Sequence, residues 1–185
     1  MIVKRSILRP PVSAEPAAHP AATAGSSAAA WGLVLIRLTF GLLMAGHGAQ
    51  KVFGWFGGGG PAATGRGFEA LGYRPGEVFA VIAGLSEMLG GLGLALGFLT
   101  PLAAAALIGV MINAVVTVTG PRGLWVMDGG AEYNVGIAVV ALAIAAVGPG
   151  RLAVDRFFRW RDGGWTAAAV ALALGGAGAA LSLGL

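Results

Sequence analysis

The sequence predicts an all-α integral membrane protein: a four-helix transmembrane bundle with a fifth transmembrane helix at its C-terminus. Three observations carry this. Of 185 residues, 57% are hydrophobic and 11% charged. A soluble domain carries about 25% charged residues, and one of ~180 residues buries only about 70% of its unfolded surface. So much apolar surface calls for lipid as its solvent. Second, the apolar residues form long runs separated by Gly and Pro. Third, Trp31, Trp55, Trp125, Trp160 and Trp165 lie at or just outside the ends of those runs. The amphipathic indole prefers that depth.

Residues 1–30 read as a disordered cytoplasmic tail. Lys4, Arg5 and Arg9 precede Pro10, Pro11, Pro16 and Pro20 among small residues, with almost nothing to bury. A secretory signal would place a short apolar core after the charges, and prolines stand there instead.

Four apolar segments follow: Trp31 to about Phe53, Val78 to Phe98, Leu102 to Thr119, and Tyr133 to Val147. The first two reach the ~20 residues of a spanning helix, and the last two lean on their flanks. Gly57–Gly60 with Pro61, Thr100-Pro101, Gly120-Pro121 and Gly148-Pro149-Gly150 are the breaks. The connection 54–76 holds Phe68, Leu71 and Tyr73 near Arg66, Glu69 and Arg74, which predicts a short interfacial helix. Trp165 to Leu185 is uncharged and rich in Ala, Leu and Gly. It reads as a fifth spanning helix, joined to the bundle domain (31–156) through a linker that starts at 157. The alternative is an interfacial or disordered tail, since glycine weakens helices. Thirty-three glycines among 185 residues, with no triplet period, suit helices packed at close backbone approach.

Orientation follows from Lys and Arg. Seven lie in the tail and in 151–161 (Lys4, Arg5, Arg9, Arg151, Arg156, Arg159, Arg161). Four lie in the opposite connections (Lys51, Arg66, Arg74, Arg122). The N-terminus is therefore expected in the cytoplasm. The net charge of +4 comes from scattered basic residues beside apolar runs, so no nucleic-acid partner is expected.

Ionisable groups at membrane depth mark function or buried pairs. Arg37, His47 and Lys51 fall on one stripe of the first helix with Phe40 and Met44. Arg37 and Lys51 have the alternative of snorkelling to headgroups. Glu87 lies near the middle of the second segment, beyond headgroup reach. It must be protonated or paired with His47, Lys51 or Arg37. Asn113 and Thr117, with Glu132 and Tyr133, fall at the same outer level. With no Cys and only His19 and His47, a bis-His haem, thiolate sites and zinc sites are not expected.

These residues carry a resemblance. The stretch Gly46-His47-Gly48-Ala49-Gln50-Lys51-Val52-Phe53-Gly54-Trp55-Phe56-Gly57-Gly58 is similar to the HGxxKxFGxFGG motif of the DoxX family of small bacterial membrane proteins. Ala83-Gly84-Leu85-Ser86-Glu87 with Gly90-Gly91, Gly129-Gly130-Ala131-Glu132-Tyr133, and Gly148-Pro149-Gly150 with Asp155 resemble three more of its motifs, in order. The resemblance implies a four-helix bundle in the bacterial plasma membrane and a subunit of an oxidoreductase. Relatives include the membrane subunit of an archaeal thiosulfate:quinone oxidoreductase. Another is a mycobacterial protein associated with superoxide dismutase and a sulfurtransferase in defence against oxidative stress. The expected function is a redox-linked subunit that binds a quinone-like carrier and works with partner oxidoreductases. Glu87 and His47 would be its catalytic residues, and Arg37, Lys51, Asn113, Glu132 and Tyr133 its carrier-binding set. The alternative is a non-enzymatic scaffold that docks partner proteins. A transporter is disfavoured because no inverted repeat is visible.

Overall fold

The computed structural model describes residues 21–158 and 162–184. Six α-helices carry the fold: α1 (Ala21–Val52), α2 (Gly60–Ala70), α3 (Gly76–Leu96), α4 (Thr100–Ala114), α5 (Glu132–Val147) and α6 (Trp165–Gly184). A π-helical turn over Val115–Thr119 and a 3-10 turn over Gly120–Arg122 prolong α4, so its apolar span reaches 23 residues. Among the described residues, four helices are long and apolar enough to cross a membrane, within α1, α3, the prolonged α4, and α6. The C-terminal segment is thus a 20-residue helix, while α5 has 16 residues. The interfacial helix expected in the 54–76 connection is α2.

One boundary differs from the sequence reading. Helix α1 begins at Ala21, so residues 21–30, assigned to a disordered tail, are helical. Pro20 is the last proline before Pro61, and the Ala-rich stretch after it has high helix propensity. The rest of the tail lies outside the described residues, as do Arg159, Trp160 and Arg161.

Helix α1 packs along α3, α3 against α4, and α4 against α5, which returns to touch α1. Helix α6 lies on α4 and α5. The α1–α3 seam is built from glycine. A Cβ at Gly41 would fall 2.6 Å from the Gly91 carbonyl, and one at Gly48 would overlap the backbone of Gly84 and Met88. Met44, Leu94, Leu107, Ile137 and Ile144 fill the core. Leu35, Leu42, Leu43, Ile82 and Leu89 stay exposed, as a lipid-facing surface requires.

One end of the bundle is locked. Helices α3 and α4 meet through a turn at Gly97–Leu99, where a Cβ on Gly97 (φ 63°) would meet Ala153 Cβ at 2.5 Å. The segment after α5 folds onto this turn. The Asp155 carboxylate accepts the Leu99 and Thr100 N–H groups, both at 2.8 Å, and so caps α4 from afar. The Arg37 guanidinium donates to the carbonyl oxygens of Pro149, of Leu152 (2.9 Å) and of Ala95 (3.3 Å). Arg37 and Asp155 are 2% and 0% exposed.

Candidate functional site

At the far end of the bundle α3 and α4 leave room. Gly90 packs in contact with Ala103, Ala106 and Leu107 of α4. Beyond it a cavity of about 550 Å³ opens, lined by α1, α2, α3, α4, α5 and α6. Six of its polar groups are ones that the sequence singled out, beside Tyr73, Ser86, Thr119, Asn134 and Ser182. His47, Lys51, Glu87, Asn113, Thr117 and Tyr133 all line it.

The glycine seam sets the central contact. Because α1 and α3 approach at Gly48 and Gly84, Lys51 lies over Glu87, and Nζ stands 2.5 Å from Oε2. The Glu87 side chain is 6% exposed and Lys51 25%. Lys51 Nζ also lies 3.5 Å from the His47 carbonyl oxygen. Lys51 therefore does not snorkel away; it is the cation that the buried carboxylate needs.

Gln50 fixes the state of His47. Its Nε2 donates to the Phe56 carbonyl at 3.3 Å, which turns its Oε1 toward His47 Nδ1 at 3.1 Å. With Nδ1 donating to that oxygen, Nε2 is left to accept from the Tyr133 hydroxyl, 3.3 Å away. The Tyr133 and His47 rings meet edge-on, their centroids 6.1 Å apart. Tyr133 is 43% exposed, so the His–Tyr pair joins the cavity to the surface at this end.

The opposite wall is polar through Asn113. Tyr73, buried in the turn after α2, donates to Asn113 Oδ1 at 2.9 Å. Asn113 Nδ2 donates to the Gly109 carbonyl at 3.0 Å, and Thr117 Oγ1 to the Asn113 carbonyl at 2.8 Å.

Two expected site residues lie elsewhere. Arg37 shares the inward stripe of α1, but it sits ten residues before His47, about 15 Å along the helix, and belongs to the locked end. Helical phase places a residue on a face and says nothing of its depth. Glu132 is exposed, and its carboxylate accepts the Val126 N–H at 2.9 Å, which ties down the loop before α5. Tyr73 and Gln50 were not singled out as site residues. Gln50 follows His47 by three positions, a spacing that puts the two side chains side by side. Tyr73 reaches the cavity through the turn between α2 and α3, which no periodicity reveals.

Comparison with known proteins gives this geometry its family. Residues 32–120 match the model of the DoxX family. An uncharacterized membrane protein of Mycobacterium tuberculosis is 30% identical over 156 residues, covering 73% of this chain and 92% of that relative. The chain belongs to the DoxX family. The family match runs from within α1 to Gly120, near the end of the prolonged α4, and includes the Lys51–Glu87 pair. No solved structure matches the chain. In this DoxX protein α5 and α6 lie beyond the family match, yet both line the cavity.

Proposed function

We propose that this DoxX protein is a redox-linked subunit of the bacterial plasma membrane that binds a quinone-like carrier in the cavity. One observation carries the reading. A carboxylate, an ammonium and an imidazole gather at one end of a cavity whose remaining lining is mostly apolar. The volume suits a small-molecule site, which typically joins an apolar body to a few convergent polar groups. A quinone presents two carbonyl acceptors on an apolar ring. Its reduction takes up two electrons and two protons to give the quinol. The Lys51 ammonium would donate to one carbonyl. Glu87 and His47 would move the protons, with Tyr133 linking His47 to the surface. Electrons would come from a partner oxidoreductase or a reduced small molecule. The orientation expected from the basic residues sets the N-terminus in the cytoplasm and the cavity in the outer half.

Glu87→Gln tests this reading. Gln is nearly isosteric and can still donate and accept, but it cannot carry a proton between states. Quinone-linked turnover in membranes should fall by about 100-fold, the scale of a positioned proton-transfer group. The Lys51–Glu87 pair also favours a second reading, in which the polar residues only bolt α1 to α3 in a scaffold for partner proteins. There Glu87→Gln weakens the α1–α3 contact and lowers stability, without changing quinone-linked turnover per folded protein. Normal quinone-linked turnover in the Gln variant would overturn the first reading.

A further inference from the structure

The Lys51–Glu87 pair stands on α1 and α3, and the same cavity extends to an arm walled by α6. Leu174, Gly178 and Ser182 stand four residues apart on one stripe of α6, and all three line the cavity. The Ser182 hydroxyl donates to the Gly178 carbonyl at 2.7 Å, so this stripe offers a ligand no free donor. Phe79 and Ile82 of α3 line the same cavity, as do Ala106 and Gly109 of α4. The arm reaches lipid: Ile82 is 52% exposed and Leu174 is 49% exposed, although both line the cavity. The arm is also unfilled at Gly178, where an added Cβ would meet nothing within 4 Å. Three residues before it, on the stripe that grips α4, a Cβ at Gly175 would lie 2.8 Å from the Ala105 carbonyl. Helix α6 therefore clamps α4 with one edge and leaves the next open.

We propose that this arm holds the single alkyl or prenyl tail of a lipid-soluble carrier, with α6 forming the wall of its side exit into the bilayer. The identity of the head as a quinone rests on the reading above; the tail site rests on the arm itself. For an amphiphile whose head sits at Lys51–Glu87, the exposed cavity residues Ile82 and Leu174 mark an apolar way out beside Gly178.

The test uses two probes on the full chain in lipid nanodiscs. Each carries a ten-carbon chain with a terminal diazirine, one on a benzoquinone head and one on a dimethoxybenzene head. After illumination, labelled peptides are located by mass spectrometry. The quinone-headed probe is expected to label Leu174–Ser182 and Phe79–Ile82. Gly178→Phe should cut that labelling about tenfold, the loss from displacing roughly two buried methylenes. Gly176→Phe, where an added Cβ also meets nothing but the residue does not line the cavity, is the folding control and should label like the parent. Labelling of the arm by both probes equally would keep the tail site and overturn the quinone head. Saturable quinone labelling outside α3 and α6, or labelling unchanged by Gly178→Phe, would overturn the tail site and keep the head. Absence of labelling by either probe would overturn the tail site.

Discussion

At the scale of single residues, the chemistry turns on charges that have few alternatives. Glu87 is held by Lys51, and removing either partner leaves a charge without its counterpart. Lys51→Met should destabilise the protein by about 3 kcal/mol, the usual scale for breaking a buried pair. The double variant Lys51→Met/Glu87→Leu should regain the parent's stability while remaining inactive with quinone. Denaturant titration in mixed micelles, beside a turnover assay, separates the two effects. Gln50 offers a finer test, because it holds His47 in one tautomer without lining the cavity. Gln50→Leu should lower quinone-linked turnover about tenfold and leave thermal stability within a few degrees; an unchanged turnover would deny the imidazole a role. Glu87 and His47 were legible in the sequence because a charge deep in an apolar run demands a reason. Arg37 meets the same demand with three carbonyl groups at the other end.

At the scale of helices, glycine decides which elements touch. Gly48 and Gly84 bring α1 onto α3, and their spacing brings Lys51 to Glu87. Gly48→Leu should push the helices apart and cost about 1–3 kcal/mol, as overpacking does. It should also abolish quinone-linked turnover without touching a cavity group. Melting temperature and turnover measured together check this. The cap that Asp155 supplies to α4 gives another case. Asp155→Ala leaves two N–H groups at a buried turn without acceptors and should cost about 2–4 kcal/mol, whereas Asp155→Asn keeps one acceptor and should cost less. The number and order of helices could be read from apolar runs and their Gly-Pro breaks. Their true lengths could not. Hydropathy drops in the Ala-Ser stretch before Trp31 and at Gly120-Pro121, yet backbone hydrogen bonding carries α1 and α4 through both.

For the whole molecule, the two ends have different characters. One is bound together by Arg37, Asp155 and a short turn, and the other holds the cavity under α2 and the loop before α5. If the N-terminus is cytoplasmic, an impermeant thiol reagent applied to intact cells should label a cysteine at Ala62 and not one at Ala22. The native chain has no cysteine to interfere. The reverse pattern would move the cavity to the cytoplasmic half. The ion pair also bears on how the protein is made. Lys51 leaves the ribosome 36 residues ahead of Glu87, so α1 meets the bilayer several seconds before its counter-charge exists, at ~5–20 residues per second. A lone carboxylate in the middle of α3 would cost about 3 kcal/mol to insert. Helix α3 avoids that cost by entering against α1, so the Lys51–Glu87 contact favours insertion of the two helices as a pair.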